Sequence, residues 1–104
     1  MKYRVIVTPD AEKDLRQVCR YIRSHGAPEA ARLWMTGVRK RIKTLATHPE
    51  RAPLAPERTS FEEPIREPFY GSGNRGTYRI LFVIIGNTVF VLHVRHGSRR
   101  PLEP

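Results

Sequence analysis

Two strand-forming segments in the last third of the chain constrain the fold most. Residues 78–85 read Tyr-Arg-Ile-Leu-Phe-Val-Ile-Ile, and residues 88–95 follow them after Gly86-Asn87. Two strand-like segments joined by two turn-forming residues predict a β-hairpin. Because both strands carry apolar side chains on both faces, we expect the hairpin at the centre of a sheet that is covered on each side.

The two-residue turn also predicts the register of this hairpin. An uninterrupted ladder places Arg79 opposite Val94. Arg79 and His96 then become diagonal neighbours on one face at the open end of the hairpin. His93 and Arg95 are expected to share the other face.

The segment before the hairpin has two helical patterns. Thr8 is expected to cap a helix that begins at Pro9 and stops at Gly26. A second helix is expected over residues 28–48, before Pro49. Apolar residues recur at helical spacing in both segments. The two stripes are Ala11, Leu15, Val18, Cys19 and Ile22 in the first, and Ala31, Trp34, Val38, Ile42 and Leu45 in the second.

The order of the elements predicts the fold class. Strand-forming residues occupy positions 3–7, and a short strand is expected near residues 65–70. The order β-α-α-β-β-β predicts one α+β domain over residues 1–104, with the helical hairpin packed on a small, mainly antiparallel sheet. Residues 49–68, which we call the proline-rich segment, are expected to have little regular structure. This segment either contacts a target or shields arginines.

The chain is strongly basic, with 19 Lys and Arg against 10 Asp and Glu and a net charge of +9. Such a charge favours nucleic acid, an acidic protein or an anionic membrane surface as partner. The excess lies on the outer face of the second helix and in the acid-free residues 68–102. The candidate phosphate-binding or target-binding residues are Arg32, Arg39, Lys40 and Lys43 on the helix, with Arg75, Arg99 and Arg100 in the last third.

Several classes of protein are not expected. No apolar run approaches the roughly 20 residues of a membrane span, and the first residues lack the apolar stretch of a signal peptide. The single cysteine, Cys19, excludes an internal disulfide. The four histidines show no metal-ligand spacing with acids, so we expect no metal and no cofactor. A cytoplasmic protein is the simplest interpretation.

Arg79 is the most informative of the charged residues, because it lies inside an apolar strand where an unpaired charge is costly. Three explanations remain open. Arg79 reaches solvent at a sheet edge, or it forms a buried pair with an acid of the proline-rich segment, or it binds a phosphate. The candidate acids are Glu62, Glu63 and Glu67. His96, which precedes Gly97, is either a general acid or base or a structural hydrogen-bonding residue.

At the level of the whole chain, the sequence resembles the RelE/ParE superfamily of bacterial type II toxin–antitoxin modules, which includes plasmid-stabilisation proteins. The resemblance rests on four segments in this order: residues 3–15, the helical hairpin ending at His48-Pro49, residues 76–82 and residues 91–100. It implies a small basic toxin that arrests growth and is neutralised by an acidic antitoxin wrapped around it.

One branch of the superfamily comprises ribosome-dependent endoribonucleases that cleave mRNA without a metal. The strand arginine of that branch matches Arg79. By this resemblance Arg79, Arg95 and Arg99 would bind the phosphate, and His96 would move a proton. Two features depart from the pattern, because no tyrosine follows the last strand and the strand near residues 65–70 carries an arginine but no lysine.

The other branch inhibits DNA gyrase by protein contact. It is similar to this chain in its long helical hairpin and in its Val94-Arg95-His96-Gly97 ending. The sequence favours this branch. A basic nucleic-acid-binding domain without toxicity is the third alternative, and it predicts salt-sensitive binding without growth arrest.

Overall fold

A computed structural model describes residues 2–56, 63–71 and 77–97. Two helices pack on a four-stranded mixed sheet, which confirms the α+β class and the order β-α-α-β-β-β. The strand order is β1-β4-β3-β2, with β1 parallel to β4 and the other neighbours antiparallel. The elements are β1 (Arg4–Val7), α1 (Pro9–His25), α2 (Pro28–Lys43), β2 (Phe69–Tyr70), β3 (Tyr78–Ile85) and β4 (Thr88–His96).

The start of α1 is tied to the sheet through its capping residue. The Thr8 hydroxyl oxygen accepts a hydrogen bond from the backbone N–H of Ala11 at 3.3 Å, as predicted for an N-cap. The same hydroxyl donates to the carbonyl oxygen of Val91 at 2.7 Å. One side chain therefore begins the helix and fixes it against the central strand β4.

The predicted apolar stripes form the core between the helices and the sheet. All five stripe residues of the second helical segment are buried, and α1 contributes Ala11, Leu15 and Ile22. Val18 and Cys19 are partly buried against this core, and the Cys19 thiol lies 3.6 Å from the carbonyl oxygen of Ala31. None of the helices in the described part of the chain is long and apolar enough to cross a membrane.

Helix α2 ends earlier than predicted, at Lys43 rather than His48. A 3₁₀ turn over Thr44–Ala46 follows it. Beyond that turn the backbone pairs with the start of the chain, because the N–H of Tyr3 donates to the carbonyl oxygen of Ala46 at 2.8 Å. This pairing draws the chain out of the helix.

The proline-rich segment covers the second face of the hairpin. Ile65, Leu81 and Val83 form a small buried cluster on the face of the sheet opposite the helices. The segment is held there by backbone hydrogen bonds, including one from the N–H of Arg66 to the carbonyl oxygen of Phe82 at 2.8 Å. The expectation of a central hairpin covered on both sides is confirmed. We call the two faces of the sheet the helix face and the loop face.

The predicted register of the hairpin is correct near the turn and wrong at the open end. A β-bulge between Leu81 and Phe82 shifts the pairing by one residue. Arg79 therefore lies opposite Arg95 instead of Val94, and Tyr78 lies opposite His96. Since neighbouring residues of a strand point to opposite faces, the shift places Arg79 and His96 on different faces of the sheet.

The strand residues next to the bulge are bound by a carboxylate from α1. Asp14 Oδ2 accepts a hydrogen bond from the backbone N–H of Val94 at 3.0 Å and lies 2.9 Å from His93 Nδ1. Asp14 and Val94 are 80 residues apart in the sequence, so the turn residues of the hairpin cannot predict this contact.

A glycine allows β2 to pack closely on α2. The Tyr70 ring meets Trp34 edge to face at a centroid distance of 6.3 Å, and its hydroxyl lies against the backbone of Gly37. A Cβ atom at position 37 would overlap that hydroxyl and would lie 2.8 Å from Tyr70 Cζ. The close approach of the Tyr70 ring therefore requires glycine at position 37, whereas helix formation does not.

We expect Gly37→Ala to lower the free energy of unfolding by about 1–3 kcal/mol, the usual cost of overpacking. The direction is opposite to the helix preference of alanine, which by itself would stabilise by about 1 kcal/mol. Urea denaturation followed by circular dichroism would measure the change. Thr36→Ala, at an exposed position of the same helix, is the control and should have little effect. The loss should be smaller in a Tyr70→Phe background; equal losses in both backgrounds would contradict the assigned contact.

Candidate functional site

Arg79 is buried in the central strand β3 and paired with a carboxylate. The residue is 5% exposed, and its Nε lies 2.6 Å from Glu67 Oε1. Glu67 is held by its own backbone N–H, which donates to the carbonyl oxygen of Pro53 at 2.8 Å. Of the three explanations left open by the sequence, the structure shows the buried ion pair, with Glu67 as an acid partner. Glu62, another of the three candidate acids, lies outside the described residues.

Arg95 lies beside this pair on the loop face, directly opposite Arg79. Its Nε is buried and has no hydrogen-bond partner among the described residues. Within the same residues, the ion pairs include none that involves Arg95. The two arginines are therefore cross-strand neighbours, and the Glu67 carboxylate is bound to Arg79.

Phe69 completes a row across the sheet. It lies opposite Arg79 on β2, as Arg95 does on β4, so the three side chains share the loop face. We call these three residues the arginine row. Phe69 is 47% exposed, which is unusual for a phenylalanine in a strand. Phe69 has no signal in the sequence, because the face on which it lies depends on the pairing of a strand only two residues long.

His96 lies on the helix face within an aromatic cluster. Its ring meets the Tyr78 ring edge to face at a centroid distance of 5.1 Å, and Tyr78 meets Trp34 at the same distance. The prediction that Arg79 and His96 lie on the same face is wrong. The bulge shifts the pairing by one residue, so that His96 lies opposite Tyr78 and on the other face from Arg79. The sheet separates the two residues.

Two of the four basic residues predicted on the outer face of the second helix form ion pairs within the chain. Lys40 and Lys43 are exposed, and Arg32 forms an ion pair with Glu29 on the same helix. Arg39 is predicted on the side of α2 that faces away from the core. Its side chain instead reaches α1, where Nη2 lies 2.7 Å from Glu12 Oε1. Hydrogen bonds from the Arg39 guanidinium lower the pKa of the Glu12 carboxyl below its ordinary value of 4.5.

The remaining candidate residues of the last third, Arg75, Arg99 and Arg100, lie outside the described residues. Arg66 has a structural role that the sequence did not indicate. Its Nη1 donates to the backbone carbonyl oxygens of Glu50 and Ala52, at 3.0 and 2.8 Å, and so ties the two ends of the proline-rich segment together. Among the described residues, no cluster of three or more His, Cys, Asp or Glu residues could hold a metal ion.

We expect Glu67→Gln to lower the free energy of unfolding by about 3 kcal/mol, because it removes the carboxylate charge that is bound to the buried Arg79 guanidinium. Urea denaturation of the purified protein would measure the loss. Glu29→Gln, which breaks an exposed pair, is the matched control and should change stability little. The Glu67→Gln/Arg79→Met double variant should recover part of the loss. Additive losses would mean that the two side chains are not coupled.

Comparison with known proteins places this geometry in a family. The crystal structure of the toxin–antitoxin complex RelBE2 from Mycobacterium tuberculosis contains a chain that is 25% identical, with a TM-score of 0.57 and coverage of 95% of both chains. A chain of the chromosomal ParDE toxin–antitoxin system from P. aeruginosa has the same fold, with a TM-score of 0.71 at 16% identity over 91% of this chain and 96% of that one. No curated protein sequence matches significantly. The family model described as the ParE toxin of the type II toxin–antitoxin system parDE matches residues 5–101. Since that match spans nearly the whole chain, the protein belongs to the ParE toxin family.

Proposed function

We propose that this protein is a toxin that arrests growth by binding DNA gyrase, and that an acidic antitoxin neutralises it. Membership of the ParE family supports the toxin role. The observation that carries the choice of target is the state of Arg79, which is buried and held by Glu67. A toxin that acts by protein contact does not need this arginine at its surface. The proposal implies a cytoplasmic protein.

Metal-free RNA cleavage makes different demands on the site. A group that takes the proton from the 2′-hydroxyl must lie within hydrogen-bond reach of the same phosphodiester that the cations stabilise. In this chain the candidate proton carrier, His96, lies on the helix face, whereas Arg79 and Arg95 lie on the loop face. This separation supports inhibition by contact over catalysis.

The helical hairpin offers a surface for such a contact. Tyr21 on α1 and Leu33 on α2 are 61% and 57% exposed, which is high for side chains of their size. Lys40 and Lys43 extend the exposed surface of α2 with positive charge. An exposed apolar residue beside cations that have no ion pair among the described residues suits a protein partner with an acidic surface.

The antitoxin is the second proposed partner. The chains from P. aeruginosa and M. tuberculosis both come from toxin–antitoxin systems, and the RelBE2 structure is a complex. A net charge of +9 favours an acidic partner, which would associate quickly and in a salt-dependent manner. An antitoxin segment that is disordered when free would fold as it covers the basic surface.

The gyrase proposal is tested by adding the purified protein to a supercoiling reaction with gyrase and relaxed plasmid. We expect inhibition, and a Lys40→Glu/Lys43→Glu variant should require about tenfold more protein for the same effect, since reversing charges at an interface slows association. Lys13→Glu/Arg16→Glu is the matched control, because it reverses two exposed charges on α1. If supercoiling is unaffected while expression of the protein stops translation, gyrase is not the target.

A RelE-type ribosome-dependent endoribonuclease is the second candidate, and the likeness to the RelBE2 chain favours it. In that case primer extension on mRNA after induction should show cuts within codons. Arg95→Gln and His96→Gln should each abolish these cuts while the protein remains folded. A protein that neither arrests growth nor cleaves mRNA would be a non-toxic basic binding domain.

A further inference from the structure

We propose that Arg95 and Phe69 form a docking site for a carboxylate-bearing segment of a protein partner. This site depends on the proposed function in one respect, because the antitoxin is the proposed partner. Membership of the family does not specify a contact on the loop face. The observations that carry it are the burial, pairing and register of the arginine row.

The row contains two guanidinium groups, and among the described residues a carboxylate pairs with Arg79 but none pairs with Arg95. Arg79 occupies the middle and is satisfied by Glu67, with Nε to Oε1 at 2.6 Å. Arg95 lies next to it, and its Nε is buried with no hydrogen-bond partner among the described residues. A buried guanidinium N–H without an acceptor is unfavourable. An acceptor with a negative charge would relieve this cost.

The pairing of Arg79 indicates which acceptor suits this surface. A carboxylate binds a guanidinium of the row through Nε, as Glu67 does at Arg79. On the other side of Arg79, the exposed ring of Phe69 provides apolar surface. A ligand that carries a carboxylate for Arg95 and an apolar side chain for Phe69 matches both features.

The spacing of the row favours a peptide. Phe69 and Arg95 lie on strands two apart, which is roughly 10 Å across a sheet, and an extended peptide covers this distance in about three residues. A peptide can therefore place one carboxylate at Arg95 and one apolar side chain over Phe69. A nucleic-acid backbone would carry negative charge along its whole length past Glu67, and Arg79 has no net charge left to offset it.

The test uses the full-length ¹⁵N-labelled protein and a synthetic peptide that repeats Glu-Ser-Ser-Leu. Arginine Nε–Hε resonances report each guanidinium separately. The Arg95 resonance should move during the titration while that of Arg79 stays, because Arg79 keeps Glu67 as its partner. A peptide with glutamine in place of glutamate should leave both resonances unchanged.

Variants then separate this site from the general attraction of a basic protein for an acidic peptide. Arg95→Gln should weaken peptide binding about tenfold, the value expected for one charge-assisted hydrogen bond. Arg95→Lys, which keeps the charge but loses the planar donor, should also weaken it. Arg20→Gln removes the same charge from an exposed position of α1. It should change the logarithm of the peptide dissociation constant by less than half as much as Arg95→Gln does.

Three results would overturn the proposal. The first is equal weakening of peptide binding by Arg95→Gln and Arg20→Gln. The second is an Arg95 resonance that does not move with the peptide. The third is Arg95-dependent binding of oligouridylate but not of the peptide, which would assign the row to nucleic acid. None of these readouts depends on gyrase inhibition or on growth arrest, so failure of the docking site and failure of the proposed function are distinguishable.

Discussion

The ion pair between Arg79 and Glu67 is the interaction on which the arrangement of the loop face depends. A charged residue in the central strand of a covered sheet needs a partner, because desolvation of an unpaired guanidinium is costly. The partner comes from the proline-rich segment, which must fold back over the sheet to deliver it. The same movement covers Leu81 and Val83. Neutralisation of the strand and closure of its second face are thus one structural event.

The parts of the fold that the sequence predicted are those set by local rules. Thr8 caps α1 through a hydrogen bond within its own first turn, and the apolar stripes follow from the helical period. The Gly86-Asn87 turn and the central place of the hairpin are equally local, since they follow from turn residues and from strands that are apolar on both faces. These signals were sufficient for the fold class.

The parts that the sequence did not predict depend on contacts between distant residues. The turn residues alone predict an uninterrupted ladder, but a single bulge between Leu81 and Phe82 places Arg79 and His96 on opposite faces of the sheet. Similarly, the sequence left solvent, a phosphate and three glutamates open as surroundings of Arg79, and the path of the proline-rich segment brings Glu67 to it. Arg39 is a further case, because helical spacing alone does not show that a long side chain reaches Glu12 on the neighbouring helix.

These long-range contacts change the meaning of the net charge of +9. Arg32, Arg39 and Arg79 are each paired with a carboxylate of the chain itself, so they contribute little to attraction at a distance. The uncompensated cations among the described residues include Lys40 and Lys43 on α2 and Arg95 on the loop face. The two groups lie on different elements, so they form two separate basic surfaces. Because a cation that is already paired cannot attract a partner, the internal carboxylates determine which surfaces remain for recognition.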